Sequence, residues 1–197
     1  DLIIGNNVYA HVPDINDFTS SLEVLLKENG IITLEFPHLL NLLKFNQFDT
    51  IYHEHFSYLS LSVVQKIFKK NKLKIFNVDK LTTHGGSIRV YGCKKNSDRA
   101  ISKNVENLLK EELQFNMESI DIYKNFKLKV KSIKNKLNST LSKIKSNNKK
   151  IVAYGAAAKG NTLLNFCGIK SDIIEAVVDL APSKQNKYMP TSLIPIY

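Results

Sequence analysis

The sequence contains no tryptophan, only two cysteines and no long apolar run. Cys93 and Cys167 form no close pair and match no zinc-binding spacing, which favours reduced structural thiols and excludes metal ligation by cysteine within this chain. No stretch approaches the ~18 to 20 consecutive apolar residues that cross a bilayer. The N-terminus also lacks the basic-then-apolar order of a signal peptide. We therefore expect a cytoplasmic protein with no membrane partner.

Acidic residues are missing from 122–150, which holds ten lysines, and the whole chain has a formal net charge of +10. The apolar residues of this region recur at steps near three and four, which predicts an amphipathic helix with a solvated lysine face. They are Ile120, Tyr123, Val130, Ile133, Leu137, Leu141 and Ile144. A connector helix and a polyanion-binding helix both fit this charge pattern. Because aromatic residues are scarce among the lysines, we expect no nucleic-acid partner.

The whole chain is 43% hydrophobic and 23% charged, which is the composition of an ordinary folded protein. Residues 1–8 form a short apolar run, which predicts a buried parallel strand that enters a functional loop. A helical pattern follows over 14–27, with Asp14 as its cap, and 31–36 is predicted to be a second buried strand that Pro37 closes. This strand, helix and strand indicate a parallel crossover.

The next segment predicts a helix over 61–71 and two strands over 73–78 and 87–91, which are able to pair as a hairpin. From 97 to 148 the pattern is helical almost throughout, with a break near Asp121. A second α/β unit then begins, with strands predicted at 151–154 and 174–178. Two strands alone are too few to bury a sheet on both faces.

The densest cluster of chemically active side chains lies within 47–58, where His53, Glu54 and His55 stand consecutively between tyrosines. As a metal site, His53 and His55 would act with His11 and Glu54. As acid–base machinery, a histidine would move the proton, a carboxylate would fix its tautomer and a tyrosine would orient the substrate. Histidines that are simply satisfied by hydrogen bonds in a loop are the third interpretation.

The segment Gly155–Gly160 combines small residues with Lys159 at the start of a helix. Small residues let backbone amides approach an anion, and both the helix N-terminus and the lysine add positive charge. Asn161 and Thr162 would supply further hydrogen bonds. The alternative is that the alanine-rich turn is only a packing device between strand and helix.

Five blocks of sequence, in the same order and spread over nearly the whole chain, resemble the sugar C-methyltransferase family. These enzymes transfer a methyl group from S-adenosylmethionine to a carbon of a nucleotide-linked keto-sugar. The blocks are Asn7–Asp14, Glu35–Pro37, Tyr52–Tyr58, His84–Arg89 and Tyr154–Thr162.

The resemblance implies that His55 is the base that forms an enolate, with Tyr52 and Glu54 ordering it and the sugar. It further implies that His11 stabilises the enolate oxygen. Asn7 follows a strand at the carboxyl edge, where α/β sheets bind ligands, and is our candidate for contact with the cofactor S-adenosylmethionine.

The same resemblance suggests that the pyrophosphate of the nucleotide-sugar binds at the small-residue turn, with help from the strand that carries Ser87 and Arg89. Strand alternation equally allows Arg89 to point into solvent. The substrate-binding candidates are Gly155, Lys159, Asn161, Thr162, Ser87 and Arg89.

The implied fold class is α/β in three parts: the second half of a class I methyltransferase (Rossmann-like) sheet at 1–96, a helical connector at 97–148, and the start of a Rossmann-like substrate-binding domain at 149–197. Full-length family members also have a cysteine-rich zinc domain and a glycine-rich cofactor loop, which are absent from this sequence. We therefore expect an internal fragment, with zinc only in the missing domain. The alternative function is a non-catalytic α/β module that binds nucleotide-sugars or phosphates.

Overall fold

The computed structural model describes all residues from Asp1 to Tyr197. The chain forms two compact units, the first made of 1–47 and 53–123 and the second of 48–52 and 124–197. The helices and strands are, in chain order, β1 (Leu2–Asn6), α1 (Ile15–Leu25), β2 (Ile31–Pro37), α2 (Leu39–Phe45), α3 (Leu61–Lys70), β3 (Leu73–Leu81), β4 (Ser87–Lys94), α4 (Lys103–Gln114), α5 (Ile120–Ser146), β5 (Val152–Tyr154), α6 (Ala158–Cys167), β6 (Ala176–Val178), β7 (Lys187–Tyr188) and β8 (Pro195–Ile196).

The first unit contains a four-stranded sheet in the order β1-β2-β4-β3. β1 and β2 are parallel, as the predicted crossover requires, with Leu2 opposite Ile31 and Asn6 opposite Glu35. β4 runs antiparallel to both β2 and β3, so the predicted hairpin is confirmed. The α/β class predicted from the sequence is also confirmed. Because β1 and β2 run in the same direction, Asn6 and Glu35 end at the same edge of the sheet.

β1 is not the fully buried strand that its apolar sequence predicts. It lies at the edge of the sheet, and its residues alternate between exposed and half-buried. Leu2 and Ile4 are 57% and 63% exposed. An edge strand with one covered face has this period of two, whereas a strand that is covered on both faces does not.

The core of the first unit joins the sheet to α1, α3 and α4. Asp14 caps α1 as predicted, because its Oδ1 accepts hydrogen bonds from the amides of Asn16 and Asp17 at 2.9 Å each. Leu22 and Leu26 are buried in this core, whereas Leu25, the last residue of α1, is 72% exposed. The buried apolar residues of this core are Tyr9, Leu22, Leu26, Ile32, Leu34, Phe36, Leu59, Leu61, Val64, Phe68, Leu73, Ile75, Val78, Ile88, Val90, Val105 and Leu108.

A buried carboxylate on α4 fastens the start of α3. Glu112 Oε1 accepts the amide of Leu61 at 2.6 Å, and Oε2 accepts the amide of Ser62 at 2.9 Å. His38 Nε2 donates to Oε1 at 2.7 Å, and both side chains are almost completely buried. Burial acts to raise the pKa of Glu112, but the hydrogen bonds from His38, Ser62 and Leu61 outweigh it, so that the net shift is downward. The carboxylate therefore replaces water for amides that no helical carbonyl can reach.

The second unit contains another four-stranded sheet, in the order β5-β6-β8-β7. β5, α6 and β6 form the predicted strand–helix–strand crossover, with β5 parallel to β6. The sequence pattern predicted only two strands here, whereas the structure adds β8 parallel to β6 and β7 antiparallel to β8. Each added strand has only two residues, too short for a hydrophobic period to appear in the sequence.

The helices predicted over 97–148 are present as α4 and α5, and they pack into different units. α4 contributes Val105 and Leu108 to the first core, and α5 packs Leu137 and Leu141 against the second. The boundaries 1–96, 97–148 and 149–197 stay a prediction about domain organisation. None of the six helices combines the length and the apolar character that a membrane span requires.

We expect Glu112→Ala to lower the free energy of unfolding by about 3 to 5 kcal/mol, because it leaves His38 and two helix amides buried without an acceptor. Urea unfolding followed by far-UV circular dichroism measures this change. The control is Glu118→Ala, which removes an exposed ion pair with Lys66 and should change stability by less than about 0.5 kcal/mol. Equal effects of the two substitutions would show that Glu112 does not fasten α3.

Candidate active site

The loop after β1 carries two of the predicted site residues, Asn7 and His11. Asn7 has a left-handed backbone with φ of 54°, and its backbone amide donates to the backbone carbonyl of Glu35 at 2.8 Å. A 3₁₀ turn over Tyr9–His11 follows. Asparagine adopts the left-handed conformation at a lower cost than most residues, so the chain leaves the sheet edge sharply at this point.

Tyr9 anchors this loop in the core. Its ring is fully buried, and its hydroxyl lies 2.7 Å from Thr19 Oγ1. The Thr19 hydroxyl donates its own proton to the Ile15 carbonyl at 2.6 Å, so Tyr9 is the donor to Thr19. Burial raises the pKa of Tyr9 to about 12, although the hydrogen bond to Thr19 opposes this rise. Tyr9 is therefore an uncharged structural anchor that fixes the residues on either side of it.

The histidine loop, residues 53–58, docks on the same 3₁₀ turn. The amides of Phe56 and Ser57 both donate to the Ala10 carbonyl, at 2.9 and 3.2 Å. His11 Nδ1 lies 2.8 Å from the Glu54 carbonyl oxygen. These bonds bring the rings of His11 and His55 to a centroid separation of 4.7 Å. The structure thus places together two predicted site histidines that are 44 positions apart in the sequence.

The contact with Glu54 fixes the tautomer of His11. A carbonyl oxygen only accepts hydrogen bonds, so Nδ1 of His11 must carry a proton. In the neutral ring Nε2 is then an acceptor, and in the protonated ring Nε2 is a second donor. The exposed carboxylate of Glu54 makes no hydrogen bond or ion pair in the structure, so this residue acts on His11 through its backbone.

Of the other members of the predicted cluster, Tyr58 lies beside His55, whereas Tyr52 belongs to the second unit. The ring of Tyr58 lies 6.0 Å from that of His55 in an edge-on arrangement. Tyr52 ends the segment 48–52, which belongs to the second unit, whereas His53 and His55 belong to the first. The structure contains no group of three or more His, Cys, Asp or Glu side chains that could hold a metal ion.

A second polar cluster lies where β1 and β2 end. Asn7 Nδ2 is 3.0 Å from His84 Nε2. Arg89 Nη2 donates to Glu35 Oε2 at 2.7 Å, and the Thr83 hydroxyl donates to Glu35 Oε1 at 3.0 Å. Arg89, for which solvent was an alternative orientation, therefore turns towards the buried Glu35.

Ser87, a predicted substrate contact, is fully buried. Its hydroxyl donates to the Thr83 carbonyl at 3.1 Å. In this structure the Ser87 hydroxyl therefore supports the 82–86 turn, and its contact with a substrate stays a prediction.

The small-residue turn of the second unit departs from a simple phosphate cradle. The amide of Ala156 donates to Asp179 Oδ2 at 2.7 Å. Asp179 Oδ1 accepts a hydrogen bond from the Ala181 amide at 2.8 Å, and Lys184 Nζ donates to Asp179 Oδ2 at 3.0 Å. The amides of Ala181 and Ala156 lower the pKa of Asp179, with help from Lys184. A carboxylate thus already occupies one of the backbone amides in the turn that was predicted to receive a phosphate.

The other predicted residues of this turn differ in whether they have polar groups free to bind a ligand. Gly155 has φ of 91° and no atom within 4 Å of where a Cβ would lie. The Thr162 hydroxyl donates back to the Ala158 carbonyl at 3.1 Å. Asn161 Oδ1 is buried without a hydrogen-bond partner. Lys159 is half-buried and makes no ion pair in the structure, and no side chain caps α6.

Three residues that the sequence did not single out belong to these clusters: His84, Glu35 and Asp179. His84 begins one of the blocks that carry the resemblance, next to two glycines. Glu35 lies near the carboxyl end of the parallel strand β2, and Asp179 directly follows the parallel strand β6, at the edge where α/β sheets present polar groups. Their strand positions were therefore a usable signal.

The fold and the two clusters define an α/β protein with an imidazole pair at one sheet edge. A family model described as "C-methyltransferase C-terminal domain" matches residues 82–197. The chain belongs to this C-methyltransferase family. It is 34% identical over 196 residues to the C-methyltransferase NovU of Streptomyces niveus, which covers 100% of this chain and 47% of that protein. The chain thus spans about half the length of the curated relative that it matches.

A solved structure is weakly similar to this chain. It is the crystal structure of magnesium protoporphyrin IX methyltransferase (ChlM) from Synechocystis PCC 6803 with bound SAH. The identity is 19% and the TM-score 0.37, and the similarity covers 48% of this chain and 44% of that one. At this TM-score the similarity has no bearing on the fold or the function of the chain.

The Glu35–Arg89 pair predicts a pH-dependent stability. The hydrogen bond from Arg89 is the main cause that lowers the pKa of Glu35; burial opposes it, and Thr83 adds to it. A carboxyl group whose pKa is lowered by folding adds stability above its unfolded pKa, and this is lost as the pH falls through its folded pKa. Arg89→Leu should therefore lower the free energy of unfolding by about 2 kcal/mol at neutral pH. The deficit should shrink as the pH falls below the unfolded pKa of a glutamate, about 4.3, and through the lower folded pKa of Glu35.

Urea unfolding at several pH values tests this expectation. The control is Lys27→Leu, which removes an ion pair with Asp1 in which both side chains are exposed, so it should have little effect at any pH. A deficit for Arg89→Leu that stays constant across the pH range would contradict the assigned pairing.

Proposed function

We propose that this chain provides the proton-transfer and sugar-binding residues for the S-adenosylmethionine-dependent C-methylation of a nucleotide-linked keto-sugar. Membership of the C-methyltransferase family supports the reaction class, and the sugar substrate follows from the resemblance of the five sequence blocks. The observation that carries the proposal is the pair of imidazole rings, His11 and His55, at 4.7 Å. Two histidines in contact can serve one reaction as a base and as an electrostatic partner.

In the proposed reaction His55 removes the proton from the carbon next to the sugar ketone. Loss of this proton converts the carbon into a nucleophile, with the negative charge shared by the ketone oxygen as an enolate. A positioned base contributes typically 10² to 10⁴ to such a rate. His55 is half-buried, in a loop that two hydrogen bonds to Ala10 hold in place. This arrangement supports a fixed orientation of the ring.

His11 is proposed to stabilise the enolate oxygen. In its protonated form Nδ1 donates to the Glu54 carbonyl, 2.8 Å away, which leaves Nε2–H free to donate to the oxyanion. An oriented donor of this kind stabilises charge that develops in the transition state. The assignment therefore requires a protonated His11 beside a neutral His55. Once His55 has taken the proton, both rings, 4.7 Å apart, are cationic, and the negative charge of the enolate offsets their mutual repulsion.

Glu54 and Tyr52 are proposed to order the base and the sugar. The backbone carbonyl of Glu54 supports this role, because it accepts the Nδ1–H of His11 and so fixes the tautomer of that ring. Tyr52 directly precedes His53 in the chain and follows Phe48, whose ring lies 5.0 Å from Phe166 on α6. This aromatic contact anchors the segment that carries the Tyr52 hydroxyl.

The residues at the carboxyl edge of β1 are compatible with part of a cofactor site. Asn7 presents a carboxamide there from a left-handed backbone, and its amide nitrogen is already paired with His84, so its oxygen is available as an acceptor. When bound, S-adenosylmethionine supplies the electrophilic methyl group. Asn7 is proposed to hold the polar part of this cofactor.

The nucleotide-sugar is proposed to bind along the turn that leads into α6. Lys159 supports this role, because it is a half-buried cation without a counter-ion on an uncapped helix turn. Gly155 leaves open space beside it, and Asn161 offers an unpartnered oxygen. Since Asp179 occupies the Ala156 amide, the pyrophosphate is proposed to contact the amides of the first turn of α6 itself. Thr162 retains an assisting role in this proposal, and Arg89 stays a substrate-binding candidate from the sequence resemblance alone.

We expect the chain to catalyse solvent deuterium exchange at the carbon next to the ketone of a nucleotide-linked keto-sugar, because this step requires only the base and the sugar. His55→Ala should slow exchange by about 10² or more. Mass spectrometry of the recovered sugar measures the incorporation. The matched control is His53→Ala, an exposed neighbour on the same loop, which should retain exchange. Equal loss in both variants would favour shared metal ligation, and unchanged exchange in His55→Ala would remove its assigned role.

A second candidate function is nucleotide-diphosphate binding without catalysis, which the unpaired Lys159 favours. Lys159→Ala should weaken the binding of a nucleoside diphosphate about tenfold or more, the amount expected for a lost charge-assisted contact. Isothermal titration calorimetry measures the affinity. Lys170→Ala, an exposed lysine just beyond α6, is the control and should bind normally. Nucleotide binding with no detectable deuterium exchange would favour this second function, and equal affinities in both variants would exclude Lys159 from the site.

A further inference from the structure

His84 is an exposed histidine on a turn whose backbone is fixed on both sides. The Thr83 carbonyl accepts from the Ser87 hydroxyl at 3.1 Å and from the Gly86 amide at 2.9 Å. The Gly85 carbonyl accepts from Gln47 Nε2 at 2.7 Å. The Gly86 carbonyl accepts from the His38 amide at 3.1 Å. An exposed ring with so little freedom in its backbone is pre-positioned for contact with a ligand.

The turn also holds three consecutive residues in positive φ. The values are 53° for His84, 84° for Gly85 and 112° for Gly86. This conformation is uncommon for residues other than glycine, although histidine adopts it more readily than most, and residues held in it cluster at active sites and ligand-binding sites. Asparagine or glycine would satisfy the backbone of position 84 equally well. The backbone therefore does not explain the choice of an imidazole.

The hydrogen bond from Asn7 fixes the state of this imidazole. Asn7 Nδ2 is only a donor, so His84 Nε2, 3.0 Å away, must accept. The ring is then neutral, with its proton on Nδ1, and that N–H makes no other hydrogen bond in the structure. The nearby Glu35 carboxylate is neutralised by Arg89 at 2.7 Å, which reduces its repulsion of an oxygen on a ligand.

We propose that His84 is a further ligand-contacting residue, whose Nδ1–H donates to an acceptor oxygen of a molecule bound at the carboxyl edge of β1 and β2. The inference rests on the proposed function, which supplies two sources for this oxygen: the carbonyl group of the keto-sugar and the carboxylate of the methyl donor. Asn7 is the partner that keeps the proton on Nδ1. The pair thus acts as one unit, with the carboxamide setting the tautomer and the imidazole contacting the ligand.

The tautomer is measurable on the ligand-free chain by long-range ¹H–¹⁵N correlation of the histidine rings, with His84 assigned by its loss in His84→Asn. We expect a protonated Nδ1 and a bare Nε2. Asn7→Gly, which removes the carboxamide without straining the left-handed backbone, should return the ring to the Nε2–H form that predominates in free histidine. A wild-type ring with its proton on Nε2 would overturn the proposal, whether or not the chain is a methyltransferase.

The ligand contact is tested by titration with two probes: S-adenosylhomocysteine, which carries the carboxylate of the methyl donor, and a thymidine diphosphate-linked 4-keto-6-deoxyglucose, which carries the carbonyl. We expect one probe to shift the Nδ1–H proton of His84. His84→Gly removes the ring without straining the left-handed backbone. This substitution should lower the affinity for that probe about fivefold if the acceptor is a carbonyl, and more than tenfold if the acceptor is a carboxylate.

His84→Asn is the matched variant, because its amide nitrogen lies near the position of Nδ1 and asparagine tolerates positive φ. It should retain affinity within about threefold, since a comparable donor is kept. Binding of a probe without a response of His84, or equal affinity in His84→Gly, overturns the His84 contact and leaves the proposed function standing. Failure of both probes to bind wild-type protein overturns both.

Discussion

The arrangement of the first unit depends on one buried carboxylate, that of Glu112. It accepts the first amides of α3, which directly follows the histidine loop, and it accepts the ring proton of His38. The backbone of His38 in turn donates to Gly86, in the turn that carries His84. A side chain on α4 therefore fixes both polar segments of the candidate site, although α4 supplies no residue to it. Removal of water from this group makes its hydrogen bonds strong and its loss severe.

Carboxylates at the strand ends have a different part in each unit. Glu35 is neutralised by Arg89 and accepts a hydrogen bond from Thr83, so the edge of the first sheet is polar without a strong negative field. Asp179 binds two backbone amides and Lys184, and it closes the turn that the sequence suggested for phosphate. An acidic side chain near the end of a parallel strand thus pairs with a guanidinium in the first unit, whereas in the second unit it accepts hydrogen bonds from backbone amides.

Much of the fold could be predicted from the sequence, because β1, α1, β2, α3, β3 and β4 have clear hydrophobic periods and recognisable caps. The short strands β7 and β8 have two residues each and no period to detect. In the site, the contact between His11 and His55 depends on hydrogen bonds to the backbone of Ala10 and Glu54, which leave no trace in residue types. The inward turn of Ser87 and the pairing of Arg89 depend on strand register, which a single sequence does not specify.

The run of positive φ at His84, Gly85 and Gly86 separates two kinds of evolutionary constraint. A Cβ at Gly86 would lie 2.2 Å from Asn41 Nδ2, and one at Gly85 would lie 2.7 Å from Gln47 Nε2. Both atoms are the ends of flexible side chains, so it is chiefly the positive φ that requires glycine at these two positions, whatever the protein binds. Position 84 has no such demand, since several small residues satisfy its backbone. Among related proteins, drift at position 84 with both glycines retained would mark a change of ligand, while loss of the glycines would mark a rebuilt turn.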